Sequence, residues 1–274
     1  MHWKRDIEVL TPLFNRGAYQ DTPELRVPSI RGMVRWWFRE LEYQSLQGDD
    51  RQQRQQLATI GEMERSIFGG VHRGAKASQL VFRVSNVPVQ RANPNPLTLP
   101  HKQGGQGSPQ AAFAPGATFT LEVFTRFGDL SPELERKAEN ALEVWLLLGA
   151  LGLRANRSGG NVWPPNGAAP ATSAALRSRL TELGCRWPVM LAGPEVGTTL
   201  DQLRAAATDT VNGAAWVFGY ARGRDRQASA LKFKIIRLEG RLRLLVFAPE
   251  PRVLDEARRA LQGHRSKPET WLAI

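Results

Sequence analysis

Arg31, Arg35 and Arg39 recur every fourth residue, and on a helix that spacing gathers three guanidiniums on one face. Ile30, Val34, Trp37, Phe38 and Leu41 follow the helical period on another face and form an apolar stripe. A guanidinium is a planar fork of donors that matches a phosphate, so a cationic row on an aromatic-anchored helix has the chemistry of a ribose-phosphate clamp. A solvated cationic face is the ordinary alternative for three arginines. Arg26 and Ser29 shift the balance, because they add donors at a helix start whose free N–H groups already favour anions. Trp36 and Trp37 are consecutive and cannot both enter a core. One packs, and the other is left for a partner subunit or for stacking on a base.

Two further stretches carry cations in unusual surroundings. Residues 148–164 interleave glycines with Arg154, Arg157 and Ser158, so a backbone able to approach a ligand closely is flanked by phosphate donors. No Gly-Lys-Ser/Thr closes this stretch, and the spacing of a dinucleotide fingerprint is absent. A mobile connector between domains is the plain alternative. Residues 220–230 place Arg222, Arg224 and Arg226 just before a strand expected to expose Lys232 and Lys234.

Composition points the same way. The chain has 274 residues, a formal charge of +11 and a sequence pI near 10.6. Arginine supplies most of the 37 cations. A GC-rich genome explains an arginine bias but not the net charge, for which nucleic acid is the leading partner class. Cys185 is the lone cysteine, and His2, His72, His101 and His264 are scattered, so neither a disulfide nor a structural metal is expected, and no cofactor is implied. No run approaches the roughly 20 apolar residues that cross a bilayer, and the amino terminus lacks an apolar signal core. An intracellular, cytoplasmic protein without membrane contact is the expectation.

The elements that must position these residues are partly legible. Residues 6–14 read as a strand, and Ser29 as the N-cap of a helix running to about residue 43. Residues 47–56 are polar and read as a surface loop or frayed helix, followed by a short helix over 62–68. Strands are expected over 80–87 and 118–127, separated by a long loop, 91–115, rich in Pro and Gly. Ser131-Pro132-Glu133 is a strong helix start, and the apolar face continues to Gly149. The order is βαββα, with a fourth strand expected near the glycine-rich stretch. In the second half, helices are predicted over 171–183, 198–207 and 253–261. Strands are predicted over 187–191, 231–235, 241–247 and 271–274.

The arrangement Leu10-Thr11-Pro12-Leu13-Phe14, Gly17, Glu24-Leu25-Arg26, Pro28-Ser29-Ile30-Arg31-Gly32, Arg35-Trp36-Trp37-Phe38-Arg39 and Ile67-Phe68-Gly69 resembles the amino-terminal signature of RAMP proteins of type III CRISPR effector complexes, most nearly the first subunit of the type III-B Cmr complex. Residues 149–161 resemble the family's glycine-rich loop, and residues 226–231 resemble its Arg-Ala-Ser-Pro segment. Two departures stand out. Ala155-Asn156 and Asn161-Val162-Trp163 replace a more basic Arg-Arg-Gly-Phe-Gly ending, and Ala230 stands where proline is usual.

The resemblance implies an α+β fold of two tandem ferredoxin-like (RRM-type) βαββαβ domains, over residues 1–160 with the 91–115 loop and residues 161–274. It implies a subunit near the 3′ end of the guide crRNA, beside other RAMP subunits, that helps hold guide and capture target RNA for antiviral defence. Carried over by residue, the RNA-binding positions are Arg26, Ser29, Arg31, Arg35, Arg39, Arg154, Arg157, Ser158, Arg226 and Ser229. Backbone RAMP subunits of such complexes cut RNA with a loop aspartate, and Asp21 is the acid in the comparable loop besides Glu24. One carboxylate is a thin basis for metal-assisted cleavage, which needs several oxygen ligands. A metal-free ribonuclease needs a base and an acid, for which His2, His72 and His101 have no evident partner. A non-catalytic subunit is therefore expected, with an endoribonuclease as the alternative.

Overall fold

A computed structural model of the chain describes all residues except 20, 72–73, 103, 127–129, 166, 210–213, 223–224 and 262–270. Strand β1 (His2–Val9) buries Trp3, Ile7 and Val9 and turns the intervening polar residues outward. It pairs antiparallel with β3 (Thr118–Thr125), placing Ile7 opposite Phe119 and Trp3 opposite Val123. Strands β2 (Leu80–Ser85) and β4 (Val162–Trp163) complete a sheet of order β2-β3-β1-β4.

Helices α1 (Val27–Tyr43) and α3 (Pro132–Leu148) pack on this sheet, and α2 (Asp50–Phe68) packs on α1. Ser131 caps α3, its hydroxyl accepting from the Leu134 N–H at 3.3 Å. One local expectation is corrected and one open alternative is decided. Ser29 is not the cap of α1: the helix starts at Val27 with Pro28 in its first turn, where a fixed φ and missing N–H cost nothing. Residues 50–56 are helical, because Asp49 and Gln52 form a reciprocal capping box with contacts of 2.9 and 3.0 Å. That helix shows no apolar period at its start because only its far end, from Ile60 to Phe68, enters the core.

The second half contains α4 (Ser173–Glu182), β5 (Val189–Ala192), α5 (Leu200–Thr208), the short α6 (Ala215–Phe218) and a small hairpin, β6 (Tyr220–Arg222) with β7 (Asp225–Gln227). Strands β8 (Lys232–Leu238) and β9 (Arg241–Phe247), helix α7 (Pro251–Leu261) and β10 (Trp271–Ala273) follow. Its larger sheet has the order β10-β5-β9-β8, again antiparallel throughout. In both four-stranded sheets the last strand in sequence borders the first, and the second lies at the opposite edge. Neither α6 nor the β6–β7 hairpin carries an apolar period long enough to be read from sequence.

One apolar core links the halves: Trp187, Ile236, Leu245 and Phe247 join the cluster that holds Trp37, Trp145 and Phe68. A second cluster lies within the β5–β10 half, around Leu203, Phe233 and Val253. The 91–115 segment is tied to the body by a bridge from Phe113 to Leu13, and folded on itself by bridges from Phe113 to Arg91 and from Leu97 to Pro109. Among the described residues, no helix is long and apolar enough to cross a membrane.

Candidate nucleic-acid interface

The glycine-rich loop leaves α3 at Gly149 and returns beside its own start, with the Leu151 N–H donating to the Gly160 carbonyl at 2.9 Å. Gly152 and Gly160 both have positive φ, +76° and +58°, and a Cβ there would lie 2.4 Å from the Phe14 carbonyl oxygen and 2.0 Å from that of Leu151. Only glycine permits this return. The loop is then laced to β8: Phe233 donates to the Asn156 carbonyl and Ser158 donates to the Phe233 carbonyl, each at 3.1 Å. Asn161 completes the lacing. Its backbone carbonyl accepts from Leu10 at 2.8 Å, while its side-chain oxygen accepts from the Ile235 N–H at 2.7 Å.

This lacing alters the expected donor set. Arg157 is buried; its Nη2 donates to the Phe218 carbonyl at 2.7 Å and to the Ser229 hydroxyl at 3.1 Å. Its guanidinium sits 5.5 Å from the Phe218 ring centroid and 5.2 Å from that of Phe233. Burial, with Arg154 nearby, pushes its pKa down to about 9, which leaves it cationic at neutral pH. Ser158 is fully buried. Arg157, Ser158 and Ser229, expected as phosphate donors, therefore build the loop's seat on β8. The exposed cation of the loop is Arg154.

The arginine row of α1 is likewise engaged within the fold. Arg35 and Arg39 both donate to Glu64 of α2, Arg39 at 2.6 Å, and Arg31 donates to the Phe68 carbonyl. Burying Glu64 requires such cations, since an uncompensated interior carboxylate is costly. Their outer edges stay reachable, with Arg35 and Arg39 side chains 37% and 32% exposed. Arg26 and Arg226 are exposed, and Ser29 is half-buried.

Lys232 and Lys234 are not on an exposed face. Lys234 is fully enclosed, its Nζ donating to the Leu146 and Gly149 carbonyls at 2.8 Å each, and burial holds its pKa well below the usual lysine range. Alternation alone misassigned it, because β8 is covered on both faces. Trp37 is the buried member of the tryptophan pair. Trp36 is half-buried, edge-on to Trp37 and Trp187 at 4.9 and 5.8 Å.

A groove of about 950 Å³ opens where these segments meet. Met33 of α1, His101 and Lys102 of the long segment, Arg154 of the glycine-rich loop, and Tyr220 and Gln227 of the β6–β7 hairpin line it. His101 Nδ1 lies 2.9 Å from the Thr208 hydroxyl at the end of α5. Lys102, Tyr220 and Gln227 line the groove without having been singled out in the sequence; Lys102 is far in sequence from the hairpin that carries the other two, so no spacing relates them. A groove edged by Arg154, Lys102 and an exposed aromatic can cradle an anionic chain and stack on its bases.

The candidate catalytic groups do not converge. Asp21 is exposed and accepts from its neighbour Thr22 at 3.3 Å. His2 lies beside Glu122 on the exposed side of the first sheet, and His72 and His264 fall outside the described residues. Among the described residues, no three His, Cys, Asp or Glu side chains form a cluster able to hold a metal ion.

Comparison with known proteins places this geometry in a family. The RAMP superfamily matches residues 6–163. The chain is 34% identical over 88 residues to the CRISPR system Cmr subunit Cmr1-2 of Pyrococcus furiosus, a stretch covering 32% of this chain and 42% of that protein. It is 28% identical over 173 residues to subunit Cmr1-1 of the same organism, covering 57% of this chain and 43% of that protein. The chain thus spans less than half the length of the curated relatives it matches. Its fold is similar to that of apo Cmr1 from Pyrococcus furiosus, with a TM-score of 0.60 at 18% identity, covering 90% of this chain and 87% of that one. It is also similar to a chain of the type III-B Cmr-beta complex bound to cognate target RNA and AMPPnP in the presence of ssDNA, with a TM-score of 0.59 at 11% identity, covering 89% and 93%.

Proposed function

The chain belongs to the RAMP superfamily, and from that premise we propose that it is a non-catalytic, RNA-binding subunit of a type III-B CRISPR (Cmr) effector. Its partners in this reading are guide crRNA, target RNA and neighbouring RAMP subunits, and its place is at the guide's 3′ end, in the cytoplasm. We read the two four-stranded sheets as tandem ferredoxin-like units, since both share one strand order. Because β4 pairs with β1, we draw the first unit to residue 163, close to the expected boundary at 160.

The observation that carries the reading is convergence. Arg154 and Lys102 come from segments far apart in sequence and edge one groove in a chain of formal charge +11. Phosphate contacts of this kind read no sequence, so their share of the affinity should be common to unrelated single strands. Arg26, Arg226 and the outer edges of Arg35 and Arg39 serve as flanking contacts. We read cleavage as the less favoured alternative, since among the described residues no three His, Cys, Asp or Glu side chains cluster.

Two measurements test this. Unrelated single-stranded RNAs of equal length should all bind the full chain, and absence of binding overturns the reading. Incubation with repeat RNA and with guide–target duplex, with and without Mg²⁺, should leave both intact. A specific cut lost in Asp21→Asn or His101→Ala would instead establish an endoribonuclease.

A further inference from the structure

Beside the groove lies a second cleft of about 520 Å³, continuous with it through Met33, Ala155, Asn156 and Ser229. Half-buried Trp36 lines it, together with the edges of Trp37, Trp187 and Phe247, whose rings are otherwise buried. An aromatic-walled opening of this volume is large enough for one flat heterocycle and its sugar.

The polar groups on this cleft are few and chemically distinct. Glu40 is half-buried, and its carboxylate makes neither a hydrogen bond nor an ion pair among the described residues. Burial pushes its pKa up, opposed by Lys232 and Arg39. Across the opening, the Lys232 ammonium stands 4.8 Å from the Trp36 ring centroid and donates to the Asn156 side-chain oxygen at 3.0 Å. A half-buried acceptor without a partner and a largely buried donor thus share one aromatic cleft on the margin of the groove. Glu40 thus presents to the cleft a carboxylate that no described side chain occupies.

The four bases differ in how they meet this pattern. Guanine offers N1–H and N2–H₂ donors beside its O6 acceptor. Adenine presents a ring acceptor where the carboxylate needs a donor. Cytosine places its N3 acceptor beside a single amino group, and uracil offers one N–H between two carbonyls.

We propose that this cleft holds one unstacked guanine of the RNA bound in the groove, with Glu40 accepting from N1–H and N2–H₂ and Lys232 donating to O6. The proposal rests on the RNA-binding reading and adds to it a base preference at one position. The remainder of the RNA is held without regard to sequence.

The test is fluorescence anisotropy on the full chain with two labelled oligomers of equal length, oligouridine and oligouridine carrying one central guanosine. The guanosine-bearing oligomer should bind about tenfold tighter. In Glu40→Gln that ratio should fall towards one. Replacing the guanosine by inosine, which lacks the N2 amine, should lower it several-fold on the unaltered protein, so the contact is readable even if Glu40→Gln does not fold. Equal binding of both oligomers overturns the guanine site and leaves the RNA-binding reading standing. No binding of either overturns both. A guanosine preference that survives Glu40→Gln or inosine overturns the assigned contacts.

Discussion

Arg237 of β8 grips Glu8 of β1 with both guanidinium nitrogens, at 2.6 and 2.7 Å, across the junction between the two sheets. Both side chains are substantially shielded from solvent, and the bond to Glu8 raises the arginine pKa. Bidentate pairs of this geometry are the strong class of charge-assisted hydrogen bond. A double-mutant cycle of Arg237→Met and Glu8→Gln, read by chemical denaturation, should give a coupling of about 1–2 kcal/mol. A coupling near zero would mean that this pair adds nothing to the hold between the sheets.

Glu64 answers a second question, whether the α1 arginines serve the fold or the ligand. Arg39→Ala should cost about 1–2 kcal/mol of stability, because it leaves Glu64 with one cation fewer. RNA affinity should fall by less than threefold. Thermal melts and RNA titration of the same variant compare the two effects directly. A large affinity loss with unchanged stability would return the row to the role its spacing suggests.

The groove makes the reverse prediction. Arg154→Ala combined with Lys102→Ala removes two exposed cations, with the melting temperature little changed. The slope of log affinity against log salt should flatten by about 1.4 for a single-stranded RNA, or about 0.7 per lost phosphate contact. A slope identical to the unaltered chain would place the phosphates elsewhere.

Lys232 makes stability depend on pH in a defined window. Burial lowers its pKa to about 8 in the folded chain, against an ordinary 10.5. Between these values the unfolded chain keeps a proton that the folded chain has released, so stability rises with pH. Below about 8 the full penalty of burying the charge is present. The gain across the window is at most about 3 kcal/mol. Lys232→Met should remove this rise relative to the unaltered chain when unfolding is followed from pH 8 to about 10.

How much of this was legible in the sequence depended on whether the signal was local. Ser131-Pro132-Glu133 announces α3 because cap, proline and acid act within one turn. The β8–β9 hairpin follows from alternation around Gly240. The Asp49–Gln52 box was also local, yet the polar run after it masked the helix. Glu64 could not be assigned to Arg35 and Arg39, since no period relates residues 25 and 29 positions apart on different helices. Lys234 misled for a related reason: alternation reports which residues share a face, not whether that face is covered. The groove was the least legible part, being a product of tertiary assembly.

Asn161 has a consequence for recognition kinetics. By binding Leu10 on one side and Ile235 on the other, it stitches the end of β1 to β8 through the glycine-rich loop. An incoming strand then meets a receptor whose shape is already set, and little ordering entropy is surrendered at docking. Encounter is governed by long-range attraction rather than by a closing motion, so association should be fast and steeply slowed by added salt.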